Sequence, residues 1–134
     1  MGEPRWLTRR IVDAIHSELL LEHGGAAGVR AGGDDLLESA LARPKNRLAY
    51  EPDSDLATLA AAYLFGLVKN HGYVDGNKRV GFAAAGTFLL LNGLRLTASE
   101  ADAYDAVIGA VEEHRTESDV AEWIRASTEP VRRD

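Results

Sequence analysis

Read for the spacing of its apolar positions, the chain divides into about six helical stretches. Ile11, Val12, Ile15, Leu19 and Leu20 fall on one face of a helix that Thr8 can cap and that Gly24-Gly25 stops near His23. Residues 24–33 hold five glycines and no periodicity, so they read as a loop. Asp34 is the candidate cap of a short helix carrying Leu36, Leu37, Ala40 and Leu41. Arg43-Pro44 should end that helix, because proline lacks an amide hydrogen and crowds the preceding turn. From Arg43 to Ser54 the chain is polar, with two prolines, and reads as a second long surface loop.

The middle of the chain is more apolar. Asp55 can cap a helix with Leu56, Leu59, Ala60, Tyr63, Leu64, Leu67 and Val68, ending near Asn70. The next runs from about Asn77 to Asn92, with Val80, Ala83, Ala84, Phe88 and Leu91, and Gly93 terminates it. Helices apolar on most faces belong in the centre of a bundle, which makes residues 71–76 the link between two buried helices. Ser99 and Thr116 cap two more, the last ending near Trp123-Ile124. Arg95-Leu96-Thr97 is too short to count as a strand. The predicted class is all-α, a single domain over 1–134, with residues 1–6 and 128–134 as loose tails and Arg132-Arg133 in the second.

Composition adds boundaries to this picture. Hydrophobic residues make up 46% and charged residues 27%, which fits a globular core and excludes disorder. Without cysteine there is neither a disulfide nor a thiolate metal site, and no stretch approaches the ~18 apolar residues of a membrane span. The expected location is the cytoplasm. A net charge of -6 argues against direct nucleic-acid or membrane binding, so any anion site must be local.

The most suggestive local cluster opens the second central helix as Asn77-Lys78-Arg79. A helix start already carries free N–H groups and the positive end of the dipole, and it prefers acidic side chains. Two cations there cost stability unless an anion such as phosphate occupies the site. A lone Lys-Arg pair would more often simply reach into solvent; the neighbouring residues change that reading. Gly76 permits a positive φ and a close backbone approach, Asp75 is a hard oxygen ligand suited to magnesium, and the imidazole of His71 can take a proton from an incoming hydroxyl. Base, metal ligand and phosphate-binding helix start within one loop are the parts that phosphoryl or nucleotidyl transfer requires. The histidines show no zinc-site spacing, and a Walker-type phosphate loop is absent.

His71-Gly72-Tyr73-Val74-Asp75-Gly76-Asn77-Lys78-Arg79 resembles the active-site signature of the Fic/Doc family, its Doc toxins in particular, with Tyr73 where the family usually has Phe. The flanking segments Gly24-Gly25, Gly28-Val29-Arg30, Leu37 to Pro44 and Asn92-Gly93 resemble Doc-type chains as well. The resemblance implies the Fic fold, a helical bundle with the active-site loop between two central helices. Adenylyl-transferring members typically carry Gly after the motif Asn and a second Arg later in the helix, whereas this chain has Lys78 and Phe82.

Both departures imply the Doc reaction: transfer of the γ-phosphate of ATP, with magnesium, to a threonine of elongation factor Tu, which arrests translation. His71 and Lys78 would be catalytic, Gly76, Asn77, Lys78 and Arg79 would bind phosphates, and Asp75 would hold the metal. The self-inhibitory pattern of many Fic proteins is not matched, since Trp123 follows Ser118 to Glu122 where Gly or Asn is required. A Phd-like antitoxin acting in trans is therefore implied. Transfer of AMP by the same scaffold, and a catalytically silent binding module in a regulatory complex, are the competing readings.

Overall fold

A computed structural model describes residues 2–132 of the chain. Six helices follow one another, α1 (Arg9–His23), α2 (Gly33–Tyr50), α3 (Leu56–Asn70), α4 (Asn77–Leu91), α5 (Glu100–Glu112) and α6 (Glu117–Ala126). The caps read from sequence close four of them. Thr8, Asp55, Ser99 and Thr116 each accept a backbone N–H from the first turn with the side chain, and Asp119 completes a reciprocal capping box with Thr116.

The bundle is built around α3, in which every residue from Leu59 to Val68 is buried. Helices α2, α4 and α6 pack on it from different sides. Two of these contacts are backbone-close. A Cβ on Gly66 would lie 3.1 Å from the Ala40 Cα of α2, and one on Gly81 of α4 would lie 2.7 Å from Val68 and 3.2 Å from the Leu64 carbonyl. Small residues at the crossings let the neighbours approach and leave no void between them. Tyr63 is fully buried on the same helix; its hydroxyl accepts the Leu7 N–H at 3.0 Å, and its ring meets Phe88 at 5.0 Å.

Several boundaries differ from the sequence reading. Asp34 is not a cap, because Gly32, at φ 75°, takes that position and Asp34 pairs with Arg9 of α1 at 2.9 Å. Helix α2 does not end at Arg43-Pro44 but runs through to Tyr50, and most of the supposed loop is helical. Interior proline costs about 3 kcal/mol or more. Here Pro44 is buried on the stripe of Leu37 and Leu41, with Leu48 next along, and Arg43 and Arg47 both pair with Glu117 of α6. Tertiary packing outweighs the local preference.

The chain ends are also more engaged than loose tails. Leu94–Leu96 (β1) and Thr128–Pro130 (β2) form a two-stranded antiparallel sheet with Leu96 opposite Thr128. Near the other end the Arg5 N–H donates to the Asn92 side chain at 2.8 Å, and Trp6 stacks on Phe88 at 6.0 Å. Arg133 lies outside the described residues.

Arg125 of α6 donates to both oxygens of Asp55, at 2.6 and 3.1 Å, tying α6 to the start of α3. That hydrogen bonding, reinforced by Thr58, holds the Asp55 carboxyl well below its ordinary value of 3.8. A depressed native pKa contributes stability above the ordinary value and loses it as pH falls through that value towards the native one. Replacing Asp55 with Asn should therefore flatten the acid limb of a denaturation-versus-pH curve. Gly81→Ala should destabilise by about 1–3 kcal/mol in chemical denaturation, because its new methyl group meets Val68 and the α3 backbone. Gly86→Ala in the same helix meets nothing within 4 Å and should stabilise by about 0.5–1 kcal/mol.

Candidate active site

The loop between α3 and α4 is held by contacts from three directions. At its start, His71 closes α3 in the left-handed region, at φ 52° and ψ 51°. A non-glycine residue there carries about 1–2 kcal/mol of strain. Arg30 compensates at that point: its guanidinium donates to the Asn70 carbonyl at 3.1 Å and to the His71 carbonyl, placing a cation on the negative end of the α3 dipole. Next, Gly72 presses on the start of α2, where a Cβ would lie 2.5 Å from Leu37 and 3.1 Å from the Gly33 carbonyl. The glycine-rich segment then lies alongside in an isolated antiparallel bridge. The Arg30 N–H donates to Gly72 at 3.1 Å, and the Val74 N–H donates to Gly28 at 2.9 Å.

Tyr73 anchors the loop in the core. Its ring is buried and stacked on His16 of α1 at 3.8 Å, and its hydroxyl donates to Asp13 at 2.6 Å. Burial, together with that carboxylate, pushes the Tyr73 hydroxyl above its ordinary pKa. The loop turns back on the side chain of Asn77, which accepts the Tyr73 N–H at 3.0 Å and donates to the Tyr73 carbonyl at 2.9 Å. His16 meets the Asp75 carbonyl at 3.0 Å through Nε2, which must carry the proton because a carbonyl only accepts. The Asp75 carboxylate accepts the Gly76 N–H at 2.9 Å and the Ala26 N–H at 3.2 Å.

These contacts place all six sequence-predicted residues, His71, Asp75, Gly76, Asn77, Lys78 and Arg79, around one open cavity of about 450 Å³, which His23 also helps to line. Gly76, at φ 81°, opens α4 with no capping side chain. The N–H groups of Asn77, Lys78 and Arg79 therefore have no intrahelical acceptor. The Asn77 side chain is buried and committed to Tyr73, so what Asn77 offers to the cavity is its backbone N–H. The same amide approaches the His71 Nδ1 at 3.4 Å, at the limit of hydrogen bonding, while the His71 ring remains exposed on the cavity.

The two cations lean towards α5. Lys78 pairs with Glu112 at 3.2 Å, and the Arg79 guanidinium lies 4.8 Å over the Tyr104 ring. No cluster of three or more metal-binding side chains occurs among the described residues. Asp75 is exposed, and each of its oxygens accepts a single N–H, which leaves lone pairs for a cation. That suits magnesium, which keeps waters and shares one or two carboxylates with substrate phosphates.

A model of the Fic/DOC family matches residues 6–89, from the start of α1 almost to the end of α4. The chain belongs to the Fic/DOC family. It is 48% identical over 77 residues to Toxin Doc of Mycolicibacterium smegmatis, an alignment covering 56% of this chain and 57% of that protein. It is 32% identical over 112 residues to protein kinase doc of Escherichia phage P1, covering 84% of this chain and 86% of the relative. The first alignment thus spans little more than half the length of that relative.

Sequence reasoning missed the residues that hold the motif from outside it. His16 interrupts an apolar stripe one turn after Val12, which is the signal of a buried polar group with a structural partner. Arg30 was marked only by resemblance, and nothing local ties it to the end of α3. Removing the Asn77 side chain should free the loop without unfolding the bundle. Asn77→Ala should cost about 1–3 kcal/mol and speed hydrogen exchange at the Tyr73 amide, measured by NMR. Unchanged protection there would contradict the clasp.

Proposed function

We propose that this Fic/DOC-family chain is a Doc-type toxin that transfers the γ-phosphate of ATP to a hydroxyl of a translation factor, by resemblance a threonine of elongation factor Tu. The observation that carries this reading is the uncapped, cation-bearing start of α4 directly beside an exposed histidine. The free N–H groups and the helix dipole attract phosphate, and the Lys78–Glu112 pair is no obstacle to it. An exposed pair of this kind contributes about 0–1 kcal/mol, so a multiply charged phosphate chain takes Lys78 from Glu112.

In the reaction, His71 takes the proton of the acceptor hydroxyl as its oxygen bonds to the γ-phosphorus, and the bond to the bridging β-oxygen breaks to release ADP. Lys78 and the α4 N–H groups receive the negative charge that shifts towards the leaving diphosphate. Asp75 would hold magnesium, which offsets the charge of the phosphates. The relatives named a toxin and a protein kinase support this assignment for the family members as such.

Restraint by a Phd-like antitoxin belongs to the same proposal. The one segment approaching a self-inhibitory pattern, Ser118 to Glu122, sits in α6, where Val120, Ala121 and Ile124 are buried in the core.

The test uses purified protein, magnesium, elongation factor Tu and ATP labelled separately on the α- and γ-phosphates. Label should move from the γ-position only, and His71→Ala should lower the rate about 10²–10⁴-fold. Transfer of α-label would assign AMP transfer instead. No transfer of either label, with His71→Ala as harmless in cells as wild type, would leave a silent binding module. Growth arrest by the wild type should be relieved by co-expressing the upstream neighbouring gene, and indifference to it would remove the antitoxin from the proposal.

A further inference from the structure

The inward face of α1 carries a polar group that packing alone does not explain. His16 is 5% exposed and follows Val12 by one turn on the buried side of the helix. An apolar side chain would fill that place without the cost of burying an imidazole. What the imidazole adds is a donor, since its Nε2 meets the Asp75 carbonyl at 3.0 Å. The ring is itself fixed: it stacks on Tyr73 at 3.8 Å, and the Tyr73 hydroxyl bonds to Asp13 on the same face of α1.

The effect of that donor reaches the Asp75 carboxylate through one peptide plane. In the trans peptide between Asp75 and Gly76 the C=O and the N–H point in opposite directions. With the carbonyl held on His16, the Gly76 N–H is turned the other way and donates to the Asp75 Oδ1 at 2.9 Å. Gly76, at φ 81° and without a Cβ, offers little resistance of its own to rotation of that plane. The second oxygen, Oδ2, accepts the Ala26 N–H at 3.2 Å, and a Cβ on Gly25 would lie 2.8 Å from it.

Resting on the nucleotide reading above, we propose that His16 is a positioning residue for metal binding: by fixing the Asp75–Gly76 peptide plane it presents the Asp75 carboxylate to magnesium in the cavity at the α4 start. His16 does not line that cavity and acts only through Asp75. Its bond to a backbone carbonyl leaves the lone pairs of the carboxylate free, so orientation is gained without loss of a ligand atom.

The test is the gain in ATP affinity that magnesium brings, measured by calorimetry with magnesium and with EDTA. Wild type should show the gain and Asp75→Asn should lack it. His16→Phe keeps a ring against Tyr73 but has no donor. It should lose most of the gain, because removing a group that orients a metal ligand lowers metal affinity about 10–100-fold. Its ATP affinity in EDTA should stay within about twofold of wild type, which shows that the phosphate site is folded. His16→Leu, smaller than Phe and also without a donor, gives the same reading where the larger ring does not fit. His16→Gln, whose amide can donate, should regain part of the gain. Val12→Ala, which hollows the same helix face one turn earlier, should lower thermal stability and keep the gain. A gain untouched by both donorless variants, lost alike in Val12→Ala, or not regained in His16→Gln would overturn the role of His16 and leave Asp75 as a metal ligand. A gain missing in wild type or kept in Asp75→Asn would overturn the metal reading of Asp75 together with it. No binding of ATP by wild type would remove the nucleotide reading as well.

Discussion

The pair of hydrogen bonds between the Asn77 side chain and the Tyr73 backbone is the interaction on which the rest of the site depends. It is buried, and a buried amide with both groups paired is costly to open because water cannot replace its partners. With the loop pinned to the first residue of α4, Tyr73 has one direction left, into the core against His16 and Asp13. His16 then reaches the Asp75 carbonyl, and Asp75 reaches the glycine-rich segment. His71 and the free N–H groups of α4 come to one cavity because the chain between them cannot spread.

That arrangement sets the ends of two central helices beside each other, and their electrostatics differ. The end of α3 is neutralised by Arg30, a cation at a negative terminus. The start of α4 carries cations on a positive terminus, against the local preference, and unlike α1, which opens on Arg9 and Arg10 behind the Thr8 cap, it has no capping side chain. The reversal is stored attraction for an anion, held in check by Glu112 and Tyr104 of α5.

Close packing makes the precision possible. Gly66 against Ala40 and Gly81 against Leu64 and Val68 bring α2 and α4 to backbone distance from α3, and Gly72 against Leu37 extends the same tight fit to the loop. An added methyl group would clash at Gly72 and Gly81 and crowd Ala40 at Gly66, so close packing fixes how these elements fit together. The site thereby inherits the rigidity of the core, although His71, Asp75 and Lys78 are themselves exposed.

The sequence by itself determined what depends on neighbours along the chain. Four N-caps, the buried character of α3 and α4, and the grouping of His71, Asp75 and Lys78 in one loop all follow from spacing within a few residues. Only the tertiary structure decided what depends on distant partners. Pro44 stays within a helix because its ring is buried and Arg43 and Arg47 find Glu117, and residues 94–96 become a strand because residues 128–130 pair with them. Asn77 serves the loop with its side chain because the Tyr73 backbone turns back onto it. His16 and Arg30 enter the site from α1 and the glycine loop for the same reason: a hydrogen bond is chosen by position in space, and separation along the chain leaves no local trace of it.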